Sequence, residues 1–172
     1  MACGRVAVVI GSDSDYETMK SCLELLTELR IDHELFVMSA HRTPDDVRRF
    51  ATGAKGAGFS VVIAAAGGAA HLAGVIAAET TLPVIGVPMA SSPLGGEDAL
   101  HSMVQMPPGV PVATVSVGAW GAINSAVLAA QILALGDKPL AGRLAGYKRA
   151  LAEKVRARGR DLKASLVRKG RK

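Results

Sequence analysis

His41 and Arg42 stand side by side in "SAHRTPD" (39–45), between an apolar run that ends at Met38 and a helix-like segment that begins at Pro44. An imidazole titrates near neutrality and can give and take a proton. A guanidinium holds a phosphate through two parallel hydrogen bonds. Thr43 and Pro44 are explained by helix initiation, as cap and first helical residue, but that leaves His41 and Arg42 without a structural reason. The earlier stretch "GSDSD" (11–15) also joins an apolar run to a helical one. Gly11 permits a tight turn, Ser12 and Ser14 offer hydroxyls, and a helix start offers unpaired N–H groups, which together make a phosphate cradle. Asp13 or Asp15 can accept hydrogen bonds from ribose hydroxyls. Plain N-capping uses the same residue types, and the stretch is neither a P-loop nor a dinucleotide fingerprint.

A third stretch, "AAAGGAAHLAG" (64–74), brings backbone close to something. Gly67 and Gly68 let main-chain N–H groups face a planar or anionic ligand, and His71 falls in the first turn of the helix that follows. Close helix–strand packing and a satisfied buried histidine are the structural alternatives. Of the other histidines, His33 precedes a strand and reads as exposed, and His101 lies mid-helix without a partner. No Ser–His–Asp or Cys–His arrangement is forced by the spacing, and no cluster has metal-ligand spacing. The residues themselves therefore lead to a phosphate-bearing small molecule, held by Ser12 and Arg42, with His41 as acid–base group and no metal.

The elements that must position these loops follow from periodicity. Five apolar, β-branched runs recur at 5–10, 34–38, 60–65, 83–88 and 111–117. Helical spacing lies between most of them: Met19, Cys22, Leu23, Leu26 and Leu29; Val47 and Phe50; Ala73, Ile76 and Ala77; then 96–105. A fifth helix over 119–135 places Val127, Leu128, Gln131, Ile132 and Leu135 on one side. A last helix covers about 138–158 and can run on into the end of the chain. Alternating strands and helices with continuously apolar strands predict an α/β fold with a parallel sheet covered on both faces. Ligands bind such sheets at the carboxyl ends of the strands, which is where the three polar loops fall. With 172 residues, no internal repeat and no linker, the chain reads as one domain over 1–158 and a basic tail over 159–172.

Charge is unevenly placed. Residues 143–172 hold 12 Lys and Arg against two Asp and Glu, a net +10, while 1–142 hold 8 against 13, a net −5. A basic end of this kind is commonly a solvated helix face, and binding to nucleic acid ranks well below that reading. The two cysteines, Cys3 and Cys22, lie in no metal-binding or redox spacing. No apolar run reaches the ~18 residues a membrane span needs. With no signal-peptide pattern at the N-terminus either, the expected location is the cytoplasm.

Taken together, "GSDSDYETM", "SAHRTPD", "AAAGGAAHLAGVIAAETTLPVIGVP" and "DALHSMVQMPPGVPVATV" resemble the N5-carboxyaminoimidazole ribonucleotide mutases of purine biosynthesis, from about Val6 to Leu135. The resemblance implies a flavodoxin-like three-layer αβα sandwich, octameric assembly, no cofactor and no metal, and a functional link to the carboxyaminoimidazole ribonucleotide synthetase. It implies transfer of a carboxylate from the exocyclic nitrogen of the ribonucleotide to C4 of its imidazole. His41 matches the catalytic histidine. Ser12, Ser14, Asp15, Ser39 and Arg42 match substrate-binding positions, the serines and Arg42 at the phosphate and Asp15 at the ribose. Gly67, Gly68, Ala70 and His71 match the region around base and carboxylate. Two residues depart from the pattern: Ala65 stands where the family has Gly, and Ala73 where it has Pro. A second branch of the family carboxylates aminoimidazole ribonucleotide directly, with a loop resembling "GRSNGLGP"; "GGAAHLAG" here sides with the mutases. A flavodoxin-like module that senses a nucleotide without turning it over is the reading from another class, and it leaves His41 idle.

Overall fold

The computed structural model describes residues 4–169, with side chains through Leu166; Cys3 and the last three residues of the basic tail lie outside the described residues. Five strands, β1 (Arg5–Ile10), β2 (His33–Val37), β3 (Phe59–Gly67), β4 (Val84–Met89) and β5 (Ala113–Thr114), form one parallel sheet in the order β2-β1-β3-β4-β5. That order is the flavodoxin-like one, and its switch point lies between β1 and β3. Among the described residues six α-helices accompany the sheet: α1 (Tyr16–Glu28), α2 (Pro44–Gly53), α3 (Leu72–Glu79), α4 (Glu97–Val104), α5 (Ala119–Ala134) and α6 (Lys138–Lys169).

The three layers follow from alternation along the strands. Val6, Val8, Ile10, Val61, Ile63 and Ala65 face one way and pack with Met19, Cys22 and Leu26 of α1, Ala122 and Ala126 of α5, and Leu140 of α6. Ala7, Val9, Val62 and Ala64 face the other way and meet Val47 and Ala51 of α2, Leu72 and Ile76 of α3, and Ala99 and Met103 of α4. Because both faces are covered, β1 and β4 are apolar at nearly every position, which is why these strands read as runs and not as alternations.

Four expectations are corrected. The run 111–117 forms only the two-residue β5, paired at Ile85–Ala113 and Gly86–Thr114. Gly118 still donates to the Pro88 carbonyl (2.8 Å), but Pro88 has no N–H to return a bond and extend the ladder. Helix α5 does not bury the larger side chains expected: its core face is Gly121, Ala122, Ser125, Ala126, Ala129 and Ala130, while Val127, Leu128 and Ile132 are half-buried and Leu135 is 90% exposed. Small residues win that face because the helix axis lies close against the sheet and α1. Thr43 occupies the N-cap position of α2 but makes no side-chain cap bond; its hydroxyl accepts from the Ser39 N–H (2.9 Å) instead. His33 is half-buried, its Nδ1 2.8 Å from the Ile31 carbonyl oxygen. Both departures from the family pattern are accommodated: Ala65 is fully buried in β3 beside Ile10 and Val87, and Ala73 is the second residue of α3, where an N–H has no helical partner to lose.

Candidate active site

At the carboxyl ends of β1 and β3 a cavity of about 420 Å³ opens. Its walls come from the loops after four successive strands of the sheet, which meet at the switch point. After β1, Ser12 caps a single 3₁₀ turn over Asp13–Asp15 that leads into α1. The Ser12 Oγ accepts from the Ser14 N–H (3.3 Å) and lies 2.9 Å from the Ser14 Oγ. These two hydroxyls therefore sit as a pair at the cavity wall. The two aspartates separate. Asp13 is exposed and bonds Ser12 and the Ser14 N–H, whereas Asp15 is 4% exposed and borders the cavity. Burial pushes the Asp15 carboxyl above the usual range; a backbone hydrogen bond from Ser12 opposes this, and the neighbouring Asp13 charge adds to it.

After β2, Ser39 organises the next wall. Its Oγ accepts from the N–H groups of both His41 and Arg42 (3.3 Å each), so these two residues are tied to one hydroxyl. The Arg42 guanidinium donates to the Gly11 carbonyl (3.2 Å), which draws it across to the serine turn of β1. After β3, the chain turns sharply. Gly68 (φ +61°) and Ala70 (φ +47°) both take left-handed conformations. For Ala70 that costs on the order of 1 kcal/mol, and the loop is held there by Ala70 N–H donating to Gly67 O (3.2 Å) and by a Ser102 hydroxyl bond to the Ala69 carbonyl from α4. This loop delivers His71 to the cavity. The His41 Nε2 lies 2.7 Å from the His71 Nδ1, with the rings edge to face at 78°.

Of the residues singled out from the sequence, Ser12, Ser14, Asp15, Ser39, His41, Arg42, Gly67, Ala70 and His71 all line this one cavity. Gly68 does not; it supplies the turn. Sequence reasoning missed Ser91, after β4. It borders the cavity, and a side-chain carbon on Gly67 would collide with its hydroxyl at 1.8 Å. A Cβ there would need the Ser91 hydroxyl to turn away and would still press on the Met89 carbonyl oxygen at 3.2 Å, so this close approach favours glycine. The loop "ASSPLGG" (90–96) carried the signal that earlier polar and glycine-rich loops carried: a polar, Gly-rich segment directly after a strand. His101 is exposed on α4 and does not line the cavity. Among the described residues no group of three or more His, Cys, Asp or Glu is placed to hold a metal ion, and no helix is long and apolar enough to cross a membrane.

A pair of serines, a guanidinium and a helix start on one side, with two imidazoles and glycine-rich backbone on the other, can hold a phosphate ester and move a proton on the group it carries. Comparison with known proteins bears on which ester. The chain matches the AIR carboxylase family over residues 5–154. It is 52% identical over 153 residues to the N5-carboxyaminoimidazole ribonucleotide mutase of Brucella melitensis, covering 89% of this chain and 94% of that protein. It is 55% identical over 139 residues to the Bacillus subtilis protein of the same name, covering 81% and 86%. Among solved structures it superposes on Treponema denticola PurE with a TM-score of 0.79 at 27% identity, covering 88% of this chain and 93% of that one.

Proposed function

The chain belongs to the AIR carboxylase family, and from that premise we propose that it is an N5-carboxyaminoimidazole ribonucleotide mutase, an isomerase of purine biosynthesis that needs no cofactor. The observation that carries the reading is the convergence of His41, Arg42, Ser12, Ser14 and Asp15 on one cavity at the switch point. In this reading Ser12, Ser14 and Arg42 hold the phosphate, and Asp15 accepts from the ribose. Ser39 joins the other serines at the phosphate, Gly67, Ala70 and His71 serve the base and the carboxylate, and Gly68 supplies the turn that places them. The substrate is a carbamate. His41, as imidazolium, gives a proton to the exocyclic nitrogen; the nitrogen–carboxylate bond breaks and carbon dioxide is released. The electron-rich C4 attacks that carbon dioxide, forming the new carbon–carbon bond. The C4 proton then passes to the now neutral His41, which restores both the aromatic ring and the imidazolium. The proton balance closes within one turnover, so no external acid or energy carrier is consumed. Carbon dioxide must stay beside C4 between the two steps, which favours small walls such as Gly67 and Ala70.

The finer parts of the reading are an octamer, a cytoplasmic location and a functional link to the synthetase that makes the carbamate. Trp120 (79% exposed) and Leu135 (90% exposed) support assembly, as apolar surface at the two ends of α5. A charged phosphate ester does not cross membranes unaided, which supports a cytoplasmic site of action. Residues 1–158 form the working domain and the basic tail 159–172 takes no part in the chemistry.

The test is turnover of the carbamate ribonucleotide without ATP or added metal, by the wild type and His41→Asn. The variant should bind within about tenfold of wild-type affinity while losing turnover. Product from aminoimidazole ribonucleotide and bicarbonate, with no response to the carbamate, assigns the protein to direct carboxylation. Full turnover by His41→Asn refutes the role given to that residue.

A further inference from the structure

We propose that His71 is a positioning residue for His41: its Nδ1 accepts a hydrogen bond from the His41 Nε2–H and so fixes which nitrogen of His41 is left to take the substrate's proton. The inference rests on the acid–base reading of His41 given above and adds the group that acts on it.

The contact is short and built from two directions. The nitrogens are 2.7 Å apart and the ring centroids 4.8 Å apart. At that separation two lone pairs would repel, and so would two N–H groups, so one proton lies between the rings. The backbones behind the rings are separately fixed. The His41 N–H is bonded to the Ser39 Oγ. His71 is held at the start of α3, where its carbonyl accepts from the Val75 N–H (2.9 Å), and it follows Ala70, whose strained φ is fastened by the bonds of the β3 loop. Among the described residues, each ring has the other as its one side-chain hydrogen-bond partner.

Proton accounting chooses the direction of the bond. If His71 donated from Nδ1, neutral His41 would accept at Nε2 and carry its own proton at Nδ1. It would then have no free lone pair to receive the C4 proton. If His41 donates from Nε2, its Nδ1 is bare when neutral and protonated when charged, and the bond to His71 survives both states. The ring keeps one orientation while a proton leaves and returns. The hydrogen bond on one imidazole nitrogen sets the function of the other, and His71 takes here the orienting part that a carboxylate takes in a catalytic triad. A neutral imidazole does this without adding negative charge beside a carboxylated substrate.

The test pairs nitrogen-15 NMR of the imidazole rings in the free protein with steady-state kinetics on His71→Phe and His71→Gln. His41 should be protonated at Nε2 in its neutral form, and its signals should lose that preference in His71→Phe. Protonation at Nδ1, or a His41 ring unmoved by His71→Phe, overturns the proposal. In turnover of the carbamate, His71→Phe should lower kcat about a hundredfold with KM changed only a few-fold, and His71→Gln, which keeps an acceptor, should recover part of the loss. A raised KM with kcat intact in both variants makes His71 a binding wall and also overturns it. If the wild type does not turn over the carbamate, the proposed function fails, and the NMR result still decides whether the ring pair is formed as stated.

Discussion

Asp15 shows how a single residue is held at the cavity wall at some expense to the fold. Its carboxyl is almost out of contact with water and its pKa is raised, chiefly by that burial. Below the ordinary aspartate value both folded and unfolded chains are protonated, so the group has no effect on stability. As pH rises from 3.8 towards the higher folded value, the unfolded chain loses its proton first and folding becomes less favourable. Above the folded value the penalty stays constant. Asp15→Asn has no charge to desolvate, and it sacrifices no cap, because Asp15 makes no side-chain cap bond to α1. The variant should therefore be more stable than wild type near neutral pH, and this advantage should vanish towards about pH 4. Denaturant melts of both proteins across that range check it; an advantage that grows on acidification would show the sign to be wrong. On the proposed reading the same variant binds the ribonucleotide more weakly, since a charged carboxylate accepts from a ribose hydroxyl more strongly than a neutral amide does.

The elements hold the loops in place by packing small residues tightly, and here the sequence was only partly readable. Strands β1, β3 and β4 were legible from long, mainly apolar runs and β2 from the short run Leu35–Met38, and the loops after three of them because their residues were polar, glycine-rich or titratable. The cavity's makeup followed from the rule that such loops meet at strand ends. Two things were not legible. The contact between His41 and His71 depends on how two loops separated by α2 and β3 come together, and nothing in local spacing records that. The core face of α5 was misread because it is marked by Gly, Ala and Ser, while the larger residues at Val127, Leu128 and Ile132 sit at its margin. A hydrophobic stripe identifies a face only where the neighbouring layer leaves room for large side chains. Gly121 tests this directly. A methyl group there would fall 1.7 Å from the Ser116 carbonyl oxygen, a backbone atom that cannot swing aside. Gly121→Ala should destabilise the protein by roughly 3 kcal/mol, the upper end of overpacking costs. Equilibrium unfolding measures it, and a loss below about 1 kcal/mol would mean that α5 shifts outward more freely than its close packing implies.

On the scale of the whole molecule, large apolar side chains stand exposed on both α5 and α6. Helix α6 packs down through Leu140 and Leu144, and Arg143 donates to the Leu29 carbonyl (2.7 Å). Tyr147 still packs on the core, and further along the helix Leu151, Val155, Leu162 and Leu166 are all exposed. At the other end of the α5–α6 pair, Trp120 is 79% exposed beside Gly118 and Ala119. Those two residues line a second cavity of about 410 Å³, which shares Ser14, Asp15 and Ser91 with the first. A copy of the chain seated over Trp120 would therefore also close the side of the proposed active site that lies next to the phosphate serines. On the proposed octameric reading this would link assembly to catalysis, because a site that holds carbon dioxide between two steps gains from a wall on its open side. Trp120 is the sole tryptophan of the sequence, so its fluorescence reports this face alone. In the assembled protein its emission should be blue-shifted and protected from acrylamide, and both properties should disappear as dilution releases protomers. Trp120→Asp should sediment as smaller species and lose turnover, although the residue lies on α5 and is remote in sequence from His41 and His71. A stable assembly in which Trp120 is still freely quenched would place the interface elsewhere and leave the open side of the site to be closed by some other part of the molecule.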